Sequence, residues 1–174
     1  MDKQRAVVWF SCGASSAIAI KYAIKKYNNI EIVYCDTGGE HESNQQFLKD
    51  CEEWVGKKFT ILKNEKWKNH YDVYRSGYLS SIYGAKCTVE LKKKIRFKYQ
   101  RPDDIHIFGY TVEEKERAKK FENNNPELFV DWVLIDKGVT KQDCLGILWQ
   151  SEIKLPKMYD LGYSHNNCIG CCKG

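Results

Sequence analysis

The strongest constraint in this sequence is the run Val7-Val8-Trp9-Phe10-Ser11-Cys12-Gly13-Ala14-Ser15-Ser16, an apolar segment that breaks into small and hydroxyl residues before resuming as Ala17-Ile18-Ala19-Ile20. It predicts a buried strand over 6–10, a tight loop, and a helix over 15–27 with Ile18, Tyr22, Ala23 and Ile24 near helical spacing. Small residues let a backbone approach an anion closely, and the N–H groups of a new helix favour negative charge. Ser11 to Ser16 therefore reads as a phosphate-binding loop. A serine and glycine turn between strand and helix also serves as a plain cap, so the loop alone does not decide the matter. The common nucleoside-triphosphatase pattern is excluded, because its lysine is absent and Ser-x-Gly-x-x-Ser stands instead.

Further strands are expected over 30–35, 59–62, 105–108 and 132–135. Between them, helices are expected where Phe47, Leu48, Cys51 and Trp54 share one face up to Gly56, over 89–99, from Glu113 onward, and from an N-cap at Thr140 to about Gln150. This alternation implies one doubly wound, mostly parallel five-stranded α/β sheet flanked by helices, with right-handed crossovers. Ligands in such sheets bind outside the carboxyl ends of the strands, where Ser11 and the segment Asp36-Thr37-Gly38-Gly39-Glu40-His41 emerge. Residues 63–85 interleave Lys63, Lys66, Lys68, His70 and Arg75 with Trp67, Tyr71, Tyr74 and Tyr78, a pattern of amphipathic packing or of a nucleic-acid surface. The tail, about 155–174, has neither period.

At 174 residues the chain suits a single domain, 1–174, ending in that cysteine-rich tail. The net charge of +5, with lysines along the whole chain, suits an anionic ligand or solvated faces equally. No segment reads as a signal peptide or membrane span, so a soluble, cytoplasmic protein without membrane partners is expected. In that compartment eight cysteines point to metal or redox chemistry rather than a disulfide framework. Cys35 and Cys144, in apolar contexts, read as inert core residues. Cys168, Cys171 and Cys172 form a Cys-x-x-Cys-Cys cluster, and Cys87 is the natural fourth ligand. Four thiolates suit a 4Fe-4S cluster or tetrahedral zinc, and reduced reactive thiols are the alternative. His41 and His165 are expected at the rim of the site.

In this order the motifs resemble the phosphoadenosine phosphosulfate (PAPS) reductase family of the adenine nucleotide alpha hydrolase, or PP-loop, superfamily. Ser11-Cys12-Gly13-Ala14-Ser15-Ser16 stands at the PP-loop, and Tyr34-Cys35-Asp36-Thr37-Gly38 at the D-T-G strand end. Cys87-Thr88 with Leu91-Lys92 is similar to the C-T-x-x-L-K segment, and Gly109 with Glu113-Glu114 and Arg117 to the G-x-R-x-E-E-S-x-R run. The departures are specific. Superfamily members that split ATP usually carry S-G-G-x-D-S, whereas Cys12 and Ser15 replace the glycine and the aspartate, which leans toward the reductases. Thr111 stands at the usual arginine, and the terminal E-C-G-L-H is absent. The chain stops two residues after Cys172, which leaves room for a further tail.

The resemblance implies an adenine nucleotide (PAPS, APS or ATP) across the strand ends. Its phosphates would lie on the Ser11 to Ser16 amides and the Ser16 hydroxyl, with Asp36 and Thr37 near the adenosine, and Gly38 and Gly109 would also be nucleotide-binding residues. Lys92, Arg117 and Lys173 would neutralise its anionic groups, and Glu114 would orient Arg117. Cys171 or Cys172 would attack sulfur, resolved by the adjacent cysteine or by a thioredoxin-like reductant. The same sulfurs cannot fully serve both this role and a metal. An ATP-dependent adenylating, sulfur-transferring or nucleic-acid-modifying enzyme is the alternative, as is a non-catalytic nucleotide-binding redox module. A homodimer is left open.

Overall fold

A computed structural model describes residues 4–81 and 84–171. Strands β1 (Ala6–Phe10), β2 (Ile30–Asp36) and β3 (Thr60–Lys63) alternate with helices α1 (Ala14–Lys26) and α2 (Ser43–Val55). Helix α3 (His70–Arg75) and a two-residue antiparallel ladder, Ser80–Ser81 with Gly84–Ala85, fill the stretch that sequence pattern left unassigned. Helix α4 (86–99) contains a π-helical turn at Val89–Lys93. Then come β4 (Ile105–Phe108), α5 (Lys115–Asn123), β5 (Phe129–Asp131), α6 (Lys141–Gln150) and α7 (Lys157–Asp160).

The five strands run parallel in the order β3-β2-β1-β4-β5. The chain winds outward through β2 and β3, then crosses back to β4 on the other side of β1. That reversal opens a crevice at the carboxyl ends of β1 and β4. One sheet face is sealed by α1, α2 and α6 through Ile18, Phe47 and Leu148. Trp9 and Val33 on the other face pack with Tyr99 of α4 and Phe108. Among the described residues no helix is long and apolar enough to cross a membrane.

Two expectations need correction. The fifth strand is Phe129–Asp131, not 132–135, where successive turns run from Trp132 to Val139. Val133 and Leu134 are apolar because the turn drives them into the core, while the edge strand leaves Phe129 exposed. Among its described residues the tail holds one short helix, α7, whose Met158 is buried.

His106 on β4 is buried, and its Nδ1 accepts from Trp9 Nε1 at 3.0 Å. Burial, with help from Arg96, lowers its pKa from 6.5 to about 4. The protonated form is thus favoured in the unfolded chain, so this contribution is fully present above pH 6.5 and is lost as pH falls toward 4. The span corresponds to roughly 3 kcal/mol. Urea unfolding at pH 7 and pH 5 should show a stability drop that His106→Gln reduces; equal drops in both proteins would assign the acid sensitivity elsewhere.

Candidate functional site

The loop after β1 is organised by one side chain. The Ser16 hydroxyl accepts from the N–H groups of Ser11 (3.1 Å) and Gly13 (3.3 Å) and donates to the Gly13 carbonyl (2.9 Å). Cys12 takes a left-handed backbone (φ 57°), and its buried thiol reaches the Asn44 carbonyl at 3.4 Å. Gly109, following β4, touches the first turn of α1 so closely that a Cβ there would lie 2.6 Å from Ser16 N. Only glycine permits that approach. The tail returns to the same loop: Ala14 N–H donates to the Tyr159 hydroxyl (3.0 Å), and the Asn166 amide donates to the Cys12 carbonyl (2.7 Å). Lys141, at the start of α6, stands 3.4 Å from both Ser15 Oγ and the Tyr159 hydroxyl.

Ser16→Ala removes the acceptor that holds two loop amides, a change worth about 1 kcal/mol in capping contexts. The affinity for an adenine nucleotide is expected to fall by about fivefold, measured calorimetrically. An unchanged dissociation constant would remove the loop from the binding site.

A cavity of about 530 Å³ opens beside the loop and reaches the β2 end, α4 and the tail. Beside the wall residue Lys92, Glu40 is nearly buried, with a side chain 5% exposed. Its carboxylate accepts from the Tyr34 hydroxyl and Asn44 amide, each at 2.6 Å, and stands 3.8 Å from Lys92 Nζ. Burial disfavours the Lys92 ammonium, but Glu40 and the thiols of Cys168, Cys35 and Cys87 outweigh it and raise its pKa. Lys92 is a retained positive charge among thiols from three parts of the chain. Cys168 lies 3.3 Å from Thr37 Oγ1. Burial raises this thiol, opposed by Thr37 and Lys92 and reinforced by Glu40. Cys35 also lines the cavity, so it is not purely a core residue, and burial pushes it up to about 11. Cys144 is fully buried.

The Cys168–Cys171 turn, closed by Cys171 N–H to Cys168 O (3.1 Å), is clamped onto the β2 end. Ile169 N–H donates to the Gly39 carbonyl, while the Ile169 carbonyl lies 2.9 Å from both His70 Nε2 and the Tyr71 hydroxyl. His70 is buried against Gly39, whose replacement Cβ would lie 1.9 Å from Nδ1. Gly38 is equally constrained, with φ 64° and the Lys68 carbonyl 1.9 Å from a built Cβ. A pair of glycines is what lets α3 and the tail close over this strand end.

The structure brings Ser11, Gly13, Ser15, Ser16 and Thr37 to the cavity, with Lys92, Gly109, Glu114 and Arg117. Arg117 pairs with Glu114 and lies 4.4 Å over the Tyr110 ring. Glu114 also accepts from Thr111 N–H. Asp36 is not on the cavity wall: its carboxylate accepts from Gly38 N–H (2.8 Å) and pairs with Lys63 (2.8 Å). Gly38, Cys12 and Ala14 shape the surrounding backbone without lining the cavity. Cys87, Cys168 and Cys171 do line it, but Cys87 Sγ stands 3.5 Å from the Tyr74 hydroxyl. Among the described residues no three His, Cys, Asp or Glu side chains converge closely enough for a metal ion. Cys172, the other ligand and nucleophile candidate, and Lys173 lie outside the described residues. His165 is on the wall, and burial together with Lys141 lowers its pKa. His41 instead pairs with Ser43 Oγ at 2.9 Å. Sequence reasoning missed Glu40 as a network centre, and also His70, Lys141, Tyr159 and Asn166. Only the acidic residue beside Asp36-Thr37-Gly38 offered a local signal for any of them.

Comparison with known proteins follows the same outline. A family model described as the phosphoadenosine phosphosulfate reductase domain matches residues 5–173. A Methanocaldococcus jannaschii protein of unassigned function, MJ0973, is 23% identical over 173 residues, covering 93% of this chain and 40% of the relative. The chain therefore spans about two-fifths of that relative's length. Among solved structures, a phosphoadenylyl-sulfate reductase from Candida auris, crystallised as a phosphate complex, superposes with a TM-score of 0.67 at 9% identity, covering 96% of this chain and 82% of that one. This similarity is one of fold.

Proposed function

This chain belongs to the phosphoadenosine phosphosulfate reductase family, and from that premise we propose that it binds an adenylyl sulfonucleotide and reduces its sulfonyl group to sulfite with tail thiols. The observation that carries this reading is the convergence of the Ser11 to Ser16 loop, the Lys92 ammonium and the thiols of Cys168 and Cys171 on one cavity. The Candida auris reductase of the same fold was crystallised with phosphate, an anion of the class the proposed substrate carries.

The loop positions the 5′-phosphate, and Lys92 and Arg117 offset the charge of the phosphosulfate. Cys171 or Cys172, as thiolate, attacks sulfur. An S–S bond forms, the sulfur–oxygen bond to the nucleotide breaks, and the nucleotide leaves with that electron pair. A second thiol then attacks the cysteine sulfur of the thiosulfonate and releases sulfite. The two thiols are oxidised to a disulfide as sulfur accepts two electrons. A thioredoxin-like dithiol returns the disulfide to thiols by exchange.

Anaerobic protein incubated with phosphoadenylyl sulfate and a dithiol, and separately with ATP, tests the reading by chromatographic product analysis. Sulfite with adenosine 3′,5′-bisphosphate is expected. AMP and pyrophosphate from ATP alone would replace it with the adenylating chemistry of the wider superfamily.

A further inference from the structure

The positive charge is not spread evenly along the chain. Residues 61–101 hold eleven Lys and Arg against three Asp and Glu, a net +8 within a total of +5, so the remainder is net −3. The fold gathers this segment rather than dispersing it. The loop after β3 lies on α4: the Asn64 amide donates to the Glu90 carbonyl (2.9 Å), and Glu65 stands 3.8 Å from Lys98. Farther along, Lys86 of α4 donates to the Ser76 carbonyl at 3.2 Å, which ties the end of α3 to the same helix. Among the described residues Lys66, Lys68, Lys86 and Lys93 form no salt bridge.

Aromatic faces are set among these cations. Lys66 lies 4.6 Å over the Trp67 ring and Lys86 5.3 Å over Tyr78. Tyr71, Tyr78 and Phe97 are 42%, 51% and 50% exposed. Exposed rings between unpaired cations are the arrangement on which bases stack while phosphates are neutralised. The surface is also continuous with the cavity, whose wall includes Cys87, Thr88 and Lys93 of α4.

We propose that the α3–α4 face binds single-stranded nucleic acid, with phosphates on the lysines and bases on the exposed rings. An acidic protein would satisfy the charge alone, without using the rings. The proposal is independent of the sulfonucleotide reading.

Fluorescence anisotropy with labelled 20-nucleotide oligothymidine and oligouridine, titrated from 50 to 300 mM KCl, tests it. Binding should weaken steeply with salt. The combined variant Lys66→Glu, Lys68→Glu, Lys98→Glu should bind at least tenfold more weakly, with the log–log salt slope reduced by about two, as expected for three lost single-strand phosphate contacts. Tyr78→Leu should weaken binding while leaving that slope unchanged. Mononucleotide affinity, measured in parallel, should stay at the wild-type value in the triple variant, which keeps failure of this face distinct from failure of the cavity. No binding at 50 mM KCl, or wild-type affinity in the triple variant, would overturn the proposal. So would poly-L-glutamate displacing the oligonucleotide as well as an unlabelled strand does, since the face would then read charge only.

Discussion

Lys92→Met is expected to lower sulfonucleotide reduction about a hundredfold or more, the scale seen when a group aimed at developing charge is removed. Lys92 stands 3.8 Å from Glu40, and its ammonium interacts with the thiols of Cys168, Cys35 and Cys87. Without it, Glu40 keeps its hydrogen bonds from Tyr34 and Asn44 and acts unopposed on Cys168, a thiol that burial already raises. The thiolate fraction therefore falls as the cation that would meet the anionic substrate is lost. Iodoacetamide labelling of Cys168, followed across pH by peptide mass mapping, reads the first effect without turnover. Its midpoint should move to higher pH in the variant, and an unmoved midpoint would break the link between Lys92 and the thiols. Lys92→Arg should restore much of the labelling profile.

Gly39→Ala is the second change with a large expected effect. The added methyl would lie 1.9 Å from His70 Nδ1, closer than any packing allows. The ring must move, and with it the Nε2 contact to the Ile169 carbonyl. Overpacking of this kind costs roughly 1–3 kcal/mol. For a chain of this size that corresponds to a melting-temperature drop of about 3–10 °C. The larger consequence is functional, because Ile169 lies between Cys168 and Cys171. Reduction should fall at least tenfold while nucleotide affinity stays within about threefold, since the loop at Ser16 is untouched. Limited proteolysis should cut the variant after residue 161 well before the wild type. Wild-type activity and wild-type cleavage together would show that the clamp does not position the thiols.

The readable parts of the fold were those in which burial and local pattern agree. Ala6–Phe10 and Ile105–Phe108 are short apolar runs at the centre of the sheet, and Thr140 with Asp143 is a capping box that the structure reproduces. At 132–135 the same apolar signal pointed to the wrong element, because a turn buries Val133 and Leu134 while the true edge strand exposes Phe129. The tight loop between β1 and α1 was legible from its small residues. Its partners were not: Tyr159 and Asn166 reach it across 145 and 154 positions, and nothing local marks either one. Asp36, which its motif suggests near an adenosine, has a carboxylate that accepts from Gly38 N–H and pairs with Lys63, contacts that no local pattern announced. The concentration of cations between 61 and 101 was in the sequence throughout. Its meaning depends on α3 and α4 being neighbours in space.

The π-helical turn at Val89–Lys93 changes how α4 can tolerate length variation. Its wider hydrogen bond, from Lys94 N–H to the Val89 carbonyl, accommodates one more residue than an α-turn would. Deleting a single residue there would leave a regular α-helix whose far half keeps nearly its present phase, because the widened turn already absorbs the extra residue. Arg96, which is buried, and Tyr99, which lies against Trp9, would keep facing the sheet, and Cys87 would stay at the cavity. A one-residue deletion is thus expected to be tolerated at this turn, whereas the same deletion in a regular stretch of α4 would swing one end by about 100° away from its contacts.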